Sequence, residues 1–586
     1  MPKVLLIGWD GAGWSQIHPL LDSGSMPNLA RMVENGVMGD LATLTPLCSP
    51  LLWTSVATGT FADRHQVLDT VESDPVTGGV RPVTRASLGS TQIWDILAQG
   101  GLRCQAIGWP ATHPAEAPGT CVSNGFAHSL PNSIYPPELE STILPLRFNP
   151  QEWTGKELQL FVPEMARIDQ DKDKRLAKLA VILAEATSVH AAATTLLESK
   201  DWDFSAVWFG AVGWASEVFP SGTDEIYKEV VNGVYRLLDL YLGRLLDLAG
   251  PEAIVMLVSD RTAGESEWRP STSRGPGGLL CAAGPGIDSD ELTFGAGLLD
   301  IAPTILGLFG FGRAPGMTGR AISEICATAY GRALQNVLPT RSASRVAHDS
   351  LEQEMLALEE FGYTDTVAAA WKDEADAAKT RRDFHLARVL LAQGRLDEAI
   401  SLFEHLVERN PALVEMRLYL GHAYFQSSRL AECRAICEPL IVDAPDSPFA
   451  SAARAHLDIA EGNYDEALAH LASGQKVYGI VAALDAVVGE AYLRMGKLDE
   501  AVTAFRSAIE TDAGIAGAHQ GLAQAYLAQG LYNEAAEAAL DAIRLRYDLP
   551  GAHNILGRAL KAMGREQAAA GAFANSEELS RRLPVA

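Results

Sequence analysis

Basic residues are scarce in this 586-residue chain: 47 Lys and Arg stand against 73 Asp and Glu, a formal net charge of -26. Nucleic-acid backbones and anionic lipid surfaces are bound through an excess of Lys and Arg, so neither is the expected partner. Cysteine is also scarce and odd in number, with seven scattered at Cys48, Cys104, Cys121, Cys281, Cys326, Cys433 and Cys437. Cys433 and Cys437 are four apart, but no His or Cys nearby completes a zinc set. The pattern reads as reduced, mostly buried thiols of a cytoplasmic protein. No apolar run approaches the roughly 20 residues of a membrane span. The opening Met1-Pro2-Lys3 runs straight into Val4-Leu5-Leu6-Ile7, too short for a signal peptide, which again makes a cytoplasmic location the expectation. Histidine supplies the most informative absence, because none of the thirteen lies between His190 and His348. Any metal site in that stretch has to be built without histidine.

What is present reads as globular throughout, with 47% hydrophobic and 20% charged residues, and the length implies two to four domains. Val4–Ile7 is a buried-strand pattern that stops at Gly8-Trp9-Asp10-Gly11. It places a carboxylate just past the end of a strand, where open α/β sheets hold their ligands. The glycines at 8, 11 and 13 do not fit dinucleotide spacing. Helices are expected over Pro27–Gly36 and Thr91–Gly100. Strands are expected over Arg103–Gly108, Ala206–Gly210, Ile254–Ser259 (ending at Asp260) and Leu279–Ala283. This alternation predicts an α/β fold, a doubly wound and mostly parallel sheet over residues 1–330.

From about residue 331 the pattern turns helical. Residues 331–379 read as a helical connector, with Leu351–Phe361 an amphipathic candidate. A repeat then sets in. Gly421, Gly489 and Gly557 are spaced by multiples of 34, and Ala387, Ala455 and Ala523 fill the slots between. Ala399, Cys433, Ala467, Ala501, Ala535 and Ala569 form a second column. Phe403, Cys437, Leu471, Phe505, Ala539 and Phe573 form a third. Pro411 and Pro445 close the first two units. Small residues let paired helices approach, and the larger column fills the space between hairpins. The pattern resembles six tetratricopeptide repeats over residues 380–586, an all-α solenoid. A solenoid of this kind implies a protein or peptide partner in its groove.

Asp10 and Ser49 are weak signals alone. In context, Thr45-Pro46-Leu47-Cys48-Ser49-Pro50 running to Thr58-Gly59, then Arg64-His65, resembles the nucleophile region of the alkaline phosphatase superfamily. The type I phosphodiesterase/nucleotide pyrophosphatase branch fits best. Met26-Pro27-Asn28-Leu29, Gly108-Trp109-Pro110-Ala111-Thr112-His113, Gly284-Pro285-Gly286 and Asp300-Ile301-Ala302-Pro303-Thr304 extend the resemblance across residues 1–330. It implies an alkaline phosphatase-like fold and phosphoester hydrolysis by a Ser49 nucleophile assisted by two metal ions.

The chain departs from that pattern where the metals would sit. Asp10, Ser49 and Asp260 match one ion's ligands, but the His after Asp260 is replaced by Arg261. Gly213 and Glu217 stand where an Asp-x-x-x-His unit is implied, and Arg274 stands where a last His is implied. Glu217 and Asp224 remain conceivable oxygen ligands. Arg261 and Arg274 are candidate anion-binding residues, or partners in internal salt bridges. His65 and His113 sit within matched segments near the expected pocket and read as loop structure, His190 and Trp214 read as packing residues, and the repeat histidines show no metal spacing. Each lost ion removes several kcal/mol of transition-state stabilisation, and about 1.4 kcal/mol is tenfold in rate. The expectation is therefore a pseudoenzyme scaffold without a cofactor. The alternative is a phosphoester or sulfoester hydrolase with one Zn, Mn or Mg ion on Asp10 and Asp260.

Overall fold

The computed structural model describes residues 2–74, 79–220, 224–263, 277–326, 374–443, 448–478, 482–546 and 549–582. Arg274, Leu351–Phe361 and most of the 331–379 connector lie outside the described residues. The chain divides into two compact units, and the boundary falls at Arg382, inside helix Glu374–Ala392.

The first unit is built on a ten-stranded sheet. Its strands are β1 (Lys3–Trp9), β2 (Gly36–Ala42), β5 (Cys104–Ile107), β6 (Thr120–Val122), β7 (Ile134–Tyr135), β8 (Phe204–Phe209), β9 (Ala253–Val258), β10 (Gly278–Ala283), β11 (Glu291–Leu292) and β12 (Ala296–Gly297); β3 (Val71–Ser73) and β4 (Val80–Pro82) form a separate hairpin. The order is β11-β2-β10-β9-β1-β8-β5-β6-β7, with β12 also paired to β2. The centre is parallel: β1 pairs with β8 and β9, and β8 with β5. β10 runs antiparallel to both β9 and β2, so the expected strand at 279–283 closes the parallel core instead of extending it.

β1 sits in the middle and is apolar from Val4 to its end, with Val4 to Ile7 and Trp9 buried. A strand covered on both faces needs such a continuous run. It continues two residues past the expected Ile7, which leaves Asp10 as the first residue beyond its end. Helix Arg175–Glu198 is the one element among the described residues long and apolar enough to cross a membrane. Most of its apolar stretch is packed inside this unit, against helix Val230–Ala249 and the sheet.

The second unit consists of helical hairpins. With the helix that opens at Glu374, its helices pair as Glu374–Ala392 with Leu396–Arg409, Val414–Gln426 with Leu430–Asp443, and Pro448–Glu461 with Tyr464–Tyr478. Ala482–Arg494 pairs with Leu498–Thr511, Ala516–Gln529 with Tyr532–Leu545, and Pro550–Ala562 with Glu566–Arg582. The first helix already includes Glu374, six residues ahead of the expected start at 380. A left-handed residue sits in each hairpin turn at the 34-residue period: Gly394, Ser428, Gly462, Gly496, Gly530 and Gly564, with φ between 59° and 83°. Glycine adopts that conformation without a Cβ penalty, whereas Ser428 carries one. The columns meet as expected. A Cβ on Gly489 would lie 2.7 Å from the Phe505 ring, and one on Gly557 would lie 2.7 Å from the Phe573 ring.

Candidate functional site

Three chain segments deliver the candidate residues to the carboxyl end of the sheet's centre. β1 delivers Asp10, whose N–H donates to the Phe209 carbonyl at 2.9 Å, so the backbone fixes it against β8. Helix Ser49–Thr58 delivers Ser49 at its first position and Trp53 one turn later, on the same face. The end of β9 delivers Ser259-Asp260-Arg261.

These groups converge on one carboxylate. Ser49 Oγ donates to Asp10 Oδ1 at 2.5 Å, and Trp53 Nε1 donates to the same oxygen at 2.8 Å. Arg261 Nη1 lies 3.2 Å from Asp10 Oδ1 and 2.6 Å from Asp260 Oδ2. The Gly11 N–H donates to Asp260 Oδ1 at 3.0 Å. Asp10 and Asp260 are wholly buried, and Arg261 nearly so. The structure thus brings Asp10, Ser49, Asp260 and Arg261 together, with one guanidinium nitrogen between two carboxylates.

Tryptophans floor the site. Trp53 packs edge-on against Trp109 and Trp208, and Trp208 packs edge-on against Trp214. Gly8 makes this possible, because a Cβ there would lie under 3 Å from both Trp53 and Trp208. The indole N–H of Trp53 is thereby held on Asp10.

Helix Ala211–Val218 places Gly213 directly over Asp10. A Cβ on Gly213 would lie 2.0 Å from Asp10 Oδ2, so the carboxylate occupies the space that a side chain at 213 would need. Glu217, one turn on, has an oxygen 3.9 Å from Arg261 Nη2 and is exposed. Asp224 goes elsewhere: it accepts from Arg175 at 2.8 Å and from the Ile226 N–H at 3.1 Å. Among the described residues, no three His, Cys, Asp or Glu side chains group as a metal set. With Arg261 between Asp10 and Asp260, the described residues do not fit the ions implied by the resemblance.

Burial and the neighbouring Asp10 charge hold the Asp260 carboxyl above the usual carboxylate range, with Arg261 acting against them. Glu185, on the long buried helix, is pushed up in the same way, first by burial and then by Asp10. Its Oε2 and Asp10 Oδ2 are buried without a hydrogen-bond partner. Sequence reasoning passed over Glu185, although one signal was there: it is a single carboxylate inside the apolar run Leu179-Ala180-Val181-Ile182-Leu183-Ala184 and Ala186.

Three other histidines of the first unit are held by local contacts. His65 Nδ1 accepts from the Val67 N–H at 3.2 Å, so Nε2 donates to Ser55 at 2.9 Å, and burial lowers the ring's pKa to about 3. His113 bonds Ser123, and His190 stacks on Tyr241 at 4.0 Å. In the second unit, an open concavity on the first hairpin is lined by Leu390, Asp397, Glu398, Ser401, Leu402 and His405.

Residues 4–267 match the family model of type I phosphodiesterase / nucleotide pyrophosphatase, and residues 390–457 and 452–518 match two tetratricopeptide-repeat models. No curated protein matches the chain. Among solved structures, the Cut9-Hcn1 hetero-tetramer of APC/C is 14% identical, over 40% of this chain and 47% of that one, with a TM-score of 0.33. The chain therefore spans about half the length of that structure. TTC0263, a thermophilic tetratricopeptide-repeat protein of Thermus thermophilus, is 20% identical over 33% of this chain and 98% of that one, with a TM-score of 0.28. YrrB, a tetratricopeptide-repeat protein with an unusual peptide-binding site, is 12% identical over 30% and 92%, with a TM-score of 0.23.

Proposed function

For a chain that joins a type I phosphodiesterase/nucleotide pyrophosphatase domain of the alkaline phosphatase superfamily to tetratricopeptide repeats, we propose a non-catalytic role: the first domain is a pseudoenzyme and the repeats hold a protein partner. The observation that carries this reading is the bridge from Arg261 Nη1 to both Asp10 and Asp260. The guanidinium supplies positive charge without a coordination sphere and cannot give up a proton at neutral pH. It cannot activate Ser49 as a metal ion does. Nor does the site invite a phosphate. Within 4 Å of Arg261 stand three carboxylates, Asp10, Asp260 and Glu217, so an incoming anion meets negative charge around the guanidinium. A cytoplasmic location belongs to the same reading, consistent with seven cysteines that form no disulfide.

One observation favours the other reading. The 2.5 Å bond from Ser49 to Asp10 gives the hydroxyl a carboxylate that could take its proton. Metal content of the purified full-length protein, measured beside turnover of an aryl phosphate diester, separates the two. The pseudoenzyme reading expects neither stoichiometric metal nor turnover. Turnover that disappears in Ser49→Ala would overturn it. For the repeats, peptides selected from a random library by the full chain are expected to lose binding when Ser401→Arg blocks the first hairpin's concavity. Unchanged binding removes that surface from the proposal.

A further inference from the structure

The repeat array carries one stretch of open surface from which carboxylates are missing. The first helices of successive hairpins, from Val414–Gln426 to Pro550–Ala562, pack on one another. Among the described residues no two successive second helices approach as closely, so the first helices line the inner side of the array. On Ala516–Gln529 the half-buried Gln520 and the exposed Gln524 and Ala528 recur every fourth residue, a stripe along a mostly buried helix. On Pro550–Ala562 the exposed Asn554, Arg558 and Ala562 repeat that stripe 34 residues later, with exposed Lys561 beside it. The two stripes adjoin, because a Cβ on Gly551 would lie 2.9 Å from Gln520 Nε2.

Neither stripe holds a carboxylate, although Asp and Glu outnumber Lys and Arg by 73 to 47 in the chain. One hairpin earlier the position equivalent to Gln524 and Arg558 is Glu490, which lies 3.6 Å from both Arg494 and His456. Beyond it, the side chains of Gln520, Gln524, Asn554, Arg558 and Lys561 make no hydrogen bond or ion pair among the described residues. Gln520 Oε1 is moreover buried without a partner, which native folds rarely leave so.

We propose that these five side chains form a docking floor for an extended acidic peptide with carboxylates at alternate residues. This rests on the reading that the repeats hold a protein partner, and it names the chemistry of one segment of that partner. Arg558 and Lys561 are three apart on one helix, about 5–6 Å between Cβ atoms. Side chains two apart on an extended strand share a face at about 6.6 Å, so two cations meet two carboxylates of one such segment. A guanidinium takes a carboxylate through two parallel N–H bonds, and each carboxamide offers the donor and acceptor that a peptide unit needs. Packed helices lie about 8–10 Å apart, so three or four extended residues of about 3.3 Å each cross both stripes. Two cations in so acidic a chain are too few for a nucleic-acid backbone or an anionic membrane, whose binding grows with each phosphate neutralised.

The test uses full-length protein and a fluorescein-labelled, C-terminally amidated dodecapeptide alternating Asp with Thr, read by fluorescence anisotropy. Binding is expected, weakening with added salt, and to be lost when Asn replaces each Asp. Arg558→Glu with Lys561→Glu is expected to weaken the Asp peptide by about tenfold or more and to admit a Lys-for-Asp peptide instead. Both positions are exposed, so circular dichroism is expected to be unchanged, and Arg558→Lys, which keeps the charge, should retain most of the affinity. Equal affinity of the wild type for the Asp and Asn peptides overturns the proposal. Binding of the Asn peptide only when its C-terminal carboxylate is free also overturns it, because the floor would then read a chain end. Peptides selected from a random library that bind the array but ignore the double charge reversal remove this floor, while the reading of a partner-holding array stands.

Discussion

The site around Asp10 and the repeat array solve opposite problems of specification. Residues 10, 49, 53, 213, 260 and 261 meet at one carboxylate, although up to 251 positions separate them. Each hairpin is assembled from partners within about one repeat, such as Gly489 with Phe505. The first is a dense, buried arrangement of charges in which every member depends on distant chain segments. The second is quasi-one-dimensional, so each unit contacts mainly its neighbours and tolerates local departures. The difference predicts that substitutions near Asp10 destabilise the whole first unit, whereas substitutions in the repeats act locally.

All eleven tryptophans precede the described repeat helices, so fluorescence reports mainly on the first unit. The largest effect is expected for Arg261→Ala, which leaves Asp10 and Asp260 buried side by side without their cation. Removing one partner of a buried pair costs about 3–5 kcal/mol. The tryptophan-detected denaturant midpoint should fall accordingly while the helical transition of the repeats stays in place. An unchanged midpoint would mean that the bridge is not structural.

Next comes Gly213→Ala, whose Cβ would press on Asp10 Oδ2 and is expected to cost about 1–3 kcal/mol. If it coupled to Arg261→Ala in a double-mutant cycle, both residues would be shown to act through Asp10. A smaller, pH-dependent effect follows from Asp260. Its folded carboxyl lies above the unfolded value, so its contribution is fully present below about pH 4 and is lost as pH rises through the raised value. Fluorescence-detected stability of the first unit should fall across that window, and Asp260→Asn should flatten the slope. The smallest effect belongs to the repeats. Ser428→Gly relieves the one non-glycine left-handed turn among the described repeat residues and should stabilise the array by about 1 kcal/mol, read by circular dichroism. A loss of stability would show that the Ser428 side chain contributes more than its backbone costs.

Much of this was legible in the residues because it is periodic or local. The 34-residue columns announced the hairpins, and the helix opening at Ser49 follows from the Ser-Pro start and the glycine stop at Gly59. The strand ending at Asp10 was legible from its apolar run, although the register that carries it to Trp9 came from pairing with β8. Glu185 was not legible, because its proximity to Asp10 depends on how helix Arg175–Glu198 packs. The antiparallel turn of β10 was hidden for the same reason: direction is set by the neighbouring strand, not by the apolar pattern.

The sequence by itself determined which groups were available. It carried no histidine between 190 and 348, an arginine after Asp260 and a glycine at 213. What only the tertiary structure decided is how those groups are used. Arg261 could have faced solvent or a ligand, and its residue type does not say which. Packing turns it inward because Asp10 and Asp260 are buried beside each other, and two carboxylates removed from water need a cation within hydrogen-bond reach.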